Sequence, residues 1–166
     1  MIHNTHFAQY IPPTLFHAVT GTFTWTAGQV AGEISLHRGA ANQTSVITIP
    51  IIIPSNSVAL QGAKLASIEV DYEILTGEPT SMTWILNKVT RGVEGAVAVV
   101  AAVTKSNTVG DAAAKTVAKH KQVITLTTPA WIDNDEYYLL ELSMPTGAGG
   151  AVNEFLGAVA NFTLKA

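Results

Sequence analysis

The sequence predicts an all-β fold, a single antiparallel β-sandwich of jelly-roll type with an extended N-terminal arm. Three observations carry that prediction. Short stretches in which apolar and polar residues alternate recur along the chain, which is the period-2 pattern of half-buried strands. Turn residues separate them at spacings of about 8–15 residues, which gives about eight or nine strands and points to a sandwich. At 166 residues the chain has the length of one domain, enough to bury roughly 70 % of its unfolded surface on folding.

The elements follow in order. Residues 1–19 contain Pro12 and Pro13 and no clean periodicity, yet carry Ile2, Phe7, Tyr10, Ile11, Leu15 and Phe16. Disordered tails are poor in aromatic groups, so this segment is expected to be an arm that docks on its own domain or on a neighbour, or else a first edge strand. The β-sandwich proper is expected over residues 20–166. Thr22, Thr24 and Thr26 alternate with Phe23 and Trp25 until Gly28, and Ile34 and Leu36 alternate with Ser35 and His37. Ser45 to Ile53 is rich in β-branched residues, but Pro50 and Pro54 lack the ladder donor and push it towards an edge or a bulge.

The stretch from Lys64 to Leu75 alternates most clearly, with Leu65, Ile68, Val70, Tyr72 and Ile74 largely on one side and Glu69, Asp71 and Glu73 on the other. After a turn at Thr76 to Pro79, the segment Ser81 to Thr90 returns with Met82, Trp84 and Leu86. Ala96 to Val103 is small, apolar and two-sided, and its valines favour a central strand over a short helix. Asp111 near the start of Thr108 to His120 and lysines near its end suit a brief helix, and a mobile loop fits the stretch equally. Val123 to Thr127, Glu136 to Met144 and Glu154 to Leu164 complete the strands.

Composition narrows the function. Charged residues make up 13 % and hydrophobic residues 48 %, where about 25 % charged is usual. So few charges leave apolar surface to be buried against other protein, which predicts a homo-oligomer. The net charge of −3 without any Lys/Arg cluster gives a nucleic-acid groove no footing. The longest apolar runs fall short of the ~20 residues that span a bilayer, and the first ten residues do not resemble a signal peptide; assembly in the cytoplasm is the expectation. No cysteine is present, so disulfides, thiolate metal sites and thiol nucleophiles are excluded.

No catalytic constellation emerges, and no cofactor is expected. There is no Gly-x-Ser-x-Gly elbow, no phosphate loop and no His-Glu-x-x-His. The turn at Asp133, Asp135 and Glu136 gathers carboxylates as a calcium loop does, but lacks the downstream Gly and the twelfth-position Glu; a structural turn is expected. His3 and His6 would give a metal only two ligands. Glu69, Asp71 and Glu73 form a row along one strand with no opposing acid, as a solvated face or one meeting lysines would. Trp25, Trp84 and Trp131 with Tyr10, Tyr72, Tyr137 and Tyr138 would offer a sugar-stacking platform wherever exposed, although alternation puts Trp84 and Tyr72 in the core.

The segments from Gly62 to Tyr72, from Thr125 to Asp135 with Tyr137 to Leu142, and from Gly157 to Leu164 together resemble small virion proteins of tailed bacteriophages. The resemblance is one of strand texture and closing sequence and carries over no functional residue. It implies a β-sandwich on a virus particle, either a capsid decoration subunit or the receptor- or carbohydrate-binding head of a fibre or spike. It also implies a trimer, a capsid or other virion protein as partner, and residence in the virion after assembly in the host cytoplasm.

Overall fold

The computed structural model describes residues 4–28, 32–40, 42–52, 62–133, 135–145 and 150–165. Its strands are β1 (Asn4–Ile11), β2 (His17–Thr20), β3 (Phe23–Ala27), β4 (Ile34–Arg38), β5 (Ser45–Ile51), β6 (Ala63–Thr76), β7 (Thr83–Thr90), β8 (Val99–Ala102), β9 (Lys105–Asn107), β10 (Lys119–Leu126), β11 (Glu136–Met144) and β12 (Val152–Lys165). A 3-10 turn covers Pro13–Leu15 and one helical turn, α1, covers Asp111–Ala114. All strand pairs are antiparallel, and the strands form two sheets. The larger runs β3-β4-β12-β6-β10-β9, with β1 also on β12; the smaller runs β2-β5-β11-β7-β8. The all-β sandwich expected from the alternation is the fold.

The alternating positions decide the packing. From the larger sheet, Leu65, Ile68, Val70, Tyr72 and Ile74 of β6, Ile124 and Leu126 of β10, and Phe155 and Phe162 of β12 are buried. From the smaller, Ile47, Ile49 and Ile51 of β5, Trp84 and Leu86 of β7, and Tyr138, Leu140 and Leu142 of β11 meet them. Each such side chain stabilises the fold by about 1.5–3 kcal/mol relative to leaving it in water. Leu65 and Ile68 break strict parity because the β6–β12 register slips between Asn161 and Phe162; the bulge turns both residues inward. α1 closes one end of the core: the Tyr72 hydroxyl donates to the Ala114 carbonyl at 2.7 Å, and Asp111 accepts the Met82 N–H.

The N-terminal segment docks on its own domain as an edge strand, one of the forms expected of it: β1 pairs with β12 of its own chain over all eight residues from Asn4 to Ile11. Ile11 and Phe16 lie in the chain's own core, so neither is offered to a neighbour. Phe7 stacks on Phe162 at 6.2 Å, Tyr10 and Leu15 are exposed, and Ile2 lies outside the described residues. β5 is flanked by β2 and β11 and so is no edge strand. It tolerates Pro50 because β2 reaches only from Val46 to Thr48 of β5, leaving the side of Pro50 away from β11 without a ladder. The stretch expected as a central strand is the exposed edge strand β8. The brief helix is a single turn, because Lys119 and His120 already belong to β10.

Candidate functional site

The site arises where β12 changes neighbours. Its first residues, Asn153 to Phe155, pair with β4; its later ones, from Ala158 on, pair with β1. Between them the register against β6 slips at Leu156 and Gly157. A bulge there leaves the Leu156 carbonyl outside the ladder, and it accepts the Tyr10 hydroxyl at 3.1 Å. Gly157 has φ of 145°, and a Cβ built on it would stand 2.7 Å from Tyr10 Oη and 2.8 Å from Cε2. Only glycine lets the Tyr10 ring approach this closely. The hydroxyl is thus held by one hydrogen bond and the ring edge lies over Gly157, yet the side chain remains 60 % exposed.

A groove of about 540 Å³ opens beside it, lined by Tyr10, Glu33, Asp71, Lys119, Lys121 and Leu156 together with Tyr72 and His120. Glu33 is held by the β3–β4 hairpin, where its carbonyl accepts the Gly28 N–H at 2.8 Å and its side chain lies against Gly28. Tyr72 and His120, cross-strand partners, stack with centroids 5.0 Å apart. Burial, with Asp111 adding to it, pushes the Tyr72 phenol up from its ordinary value, so it stays neutral.

The acidic row expected from Glu69, Asp71 and Glu73 lies on the outward face of β6, where it meets lysines of its own chain. Lys121 Nζ is 3.2 Å from Glu69 and 4.0 Å from Asp71, and these contacts, the Glu69 hydrogen bond first, raise its pKa. Asn161 of β12 donates to Glu69 at 3.1 Å and to Ser67 at 3.2 Å, so ordered polar groups continue across the face. A smaller hollow of about 370 Å³ lies farther along β1, between His6, Phe7, Ala8, Ala66, Asn161 and Phe162.

The other candidates fall elsewhere. Glu136 takes the Lys88 ammonium at 2.7 Å and the Asp133 N–H at 3.1 Å, so it serves the turn and the β7–β11 pair, while Asp133 and Asp135 face solvent. Among the described residues no group of three or more His, Asp or Glu could hold a metal ion; His6 is exposed on β1 and His3 is outside the described residues. Of the aromatic set, Trp84, Tyr72 and Tyr138 are buried, and Trp25, Trp131 and Tyr137 are exposed away from the groove, Trp131 under the Lys64 ammonium at 4.3 Å. The groove formed by Glu33, Lys119, Lys121 and Leu156 around Tyr10 was not apparent in the sequence. Its one local signal is Gly157, since an isolated glycine inside a strand pattern marks a bulge or a close approach.

No protein-family model matches the chain, and no curated protein matches it. Similar solved structures include an arabinose-bound GH51 α-L-arabinofuranosidase, at 10% identity and TM-score 0.44, matched over 92% of this chain and 24% of that one. A family 29 carbohydrate-binding module is similar at 9% identity and TM-score 0.36, over 94% of this chain and 91% of that one. A family 11 carbohydrate-binding module from Clostridium thermocellum, in complex with a β-1,3-1,4-mixed-linked tetrasaccharide, is similar at 10% identity and TM-score 0.37, over 98% and 87%. The chain spans about a quarter of the arabinofuranosidase.

Proposed function

We propose that the chain is a non-catalytic binding module that takes up a glycan on the outer face of its larger sheet, with Tyr10 as the stacking surface. The observation that carries this reading is the setting of Tyr10: its hydroxyl is bonded to the Leu156 carbonyl and its ring lies over Gly157 while remaining 60 % exposed. A side chain ordered before binding loses little entropy when the ligand arrives. The charges that line the groove balance, Glu33 and Asp71 against Lys119 and Lys121, which favours a neutral, hydroxyl-rich ligand over an anion or a cation. The C–H face of a sugar ring lies against Tyr10, and the carboxylates and ammonium groups meet its hydroxyls. A glycan array probed with labelled protein tests this: hits that are lost in Tyr10→Ala support it, and an array without hits contradicts it.

A second reading is a structural subunit of a virus particle, a capsid decoration protein bound to its own copies and to capsid. One observation favours it, the uncharged apolar edge at β8. Cryo-electron microscopy of particles carrying the chain tests that reading through the contacts it makes there.

A further inference from the structure

The second edge of the smaller sheet is a short strand that carries no charge and no proline to keep strand edges apart. Solvent-facing edges invite pairing with another chain unless charges, prolines or bulges blunt them. β2, at the opposite edge, has a register slip between Ala18 and Thr20, and β9, an edge of the larger sheet, carries Lys105. From Gly95 to Thr104 there is no charged residue and no proline. All four residues of β8 are exposed, and Val97 just before it is 90 % exposed.

This edge is presented in a fixed shape. The turn before it is closed by the Ala96 N–H donating to the Val93 carbonyl at 3.0 Å, and a Cβ on Gly92 would stand 2.0 Å from the Ala96 carbonyl oxygen. The direction of the free hydrogen-bonding groups can be read from the ladder. β8 pairs with β7 so that Asn87 faces Ala102 and Val89 faces Val100, and the next residue, Val103, donates its N–H to Leu86 at 2.8 Å. In an antiparallel pair the bonded positions alternate. The N–H and C=O of Val99, Ala101 and Val103 therefore point to β7, and those of Val100 and Ala102 point away from the sheet.

We infer that β8 pairs antiparallel with β8 of a second copy of this chain, joining the two smaller sheets edge to edge. The outward backbone groups of Val100 and Ala102 ask for a β-strand, and the uncharged apolar flanks ask for one equally uncharged and apolar; β8 itself meets both demands. A two-fold pairing is isologous, so one patch serves both partners. The registers that exchange hydrogen bonds within β8 put Val100 opposite Val100, Val100 opposite Ala102, or Ala102 opposite Ala102, and in the second a large side chain faces a small one. The inference is independent of the glycan reading, and it gives a two-fold pair in place of the trimer implied by the resemblance to virion proteins.

Analytical ultracentrifugation of the full chain at micromolar to submillimolar concentration tests it. The expected mass is twice 17.5 kDa. Val100→Pro removes an N–H that its own sheet does not use, and Val99→Lys places a charge on the edge; each is expected to return the mass to that of one chain with the β-sheet circular dichroism retained. Should Val100→Pro unfold the domain, Val99→Lys decides. Hydrogen exchange is expected to show the Val100 and Ala102 amides protected only in the associated species. A wild-type chain that stays monomeric throughout the range, or an oligomer that survives Val99→Lys undiminished, overturns the inference. Glycan affinity measured on the same variants reports on the Tyr10 groove alone and so keeps the two readings apart.

Discussion

Tyr10 and Gly157 occupy each other's space: the tyrosine ring fills the position that any side chain on residue 157 would take. This contact joins the first strand to the last where β12 exchanges β4 for β1, and it makes the Tyr10 ring a part of the fold. Substituting Gly157→Ala forces a Cβ against the ring at a backbone angle that L-residues rarely adopt. The expected cost is about 1–3 kcal/mol, read as a lower melting temperature, and the displaced ring is expected to weaken glycan binding in step. An unchanged melting temperature would show that the ring moves aside freely.

Tyr10→Phe separates orientation from stacking. It keeps the ring and removes the hydroxyl that Leu156 accepts. A hydrogen bond of this kind contributes about 0.5–1.5 kcal/mol, and this exposed one belongs at the lower end. Denaturant titration is expected to show that small loss, with glycan affinity between that of wild type and Tyr10→Ala. Affinity as low as in Tyr10→Ala would place the hydroxyl itself in contact with ligand.

Arg38 is fully buried, its guanidinium donating to the Ala151 carbonyl at 2.8 Å and the Gln43 carbonyl at 2.9 Å. Burial lowers its pKa from the usual arginine value. A lysine has no planar fork to reach carbonyls on two sides, and removing the side chain strands the buried Ala151 acceptor. Arg38→Lys and Arg38→Ala are both expected to destabilise the domain, the alanine variant by about 3 kcal/mol or more. Retention of the wild-type denaturation midpoint in Arg38→Ala would contradict the role assigned to these bonds.

Glu136 gives a pH dependence of known sign. Burial acts to raise its pKa but is outweighed by the hydrogen bonds from Lys88, the Asp133 N–H and Thr90, so the folded value lies below the ordinary 4.5. A carboxyl depressed in the folded state adds stability that is fully present above the unfolded value and is lost as pH falls through the folded one. The melting temperature of wild type is therefore expected to exceed that of Glu136→Gln at neutral pH, with the gap closing as the pH falls below about 4.5. A gap independent of pH would assign the effect to packing.

The fold class was legible because it rests on local alternation: the buried set of β6 and β11 stands at every second residue with little interruption. Pairing order was not, since nothing local in Ala96 to Val103 separates a central strand from an edge; both are short, apolar and valine-rich. Pro50 misled in the other direction, because the length of β2, and not the β5 sequence, decides whether a missing N–H matters there. The site was hidden for a related reason. Tyr10, Glu33, Lys121 and Leu156 come from four strands or hairpins distant in sequence, and only Gly157 carries a local mark of the bulge that unites them.

Whether the groove beside Tyr10 holds a glycan is read by a protein-observed NMR titration with an oligosaccharide selected on the array. Shift changes are expected to cluster on Tyr10, Glu33, Asp71, Lys121 and Leu156, saturating with added ligand and abolished in Tyr10→Ala while the rest of the spectrum keeps its dispersion. Shift changes centred elsewhere on the surface, or saturable binding that persists unchanged in Tyr10→Ala, would contradict it.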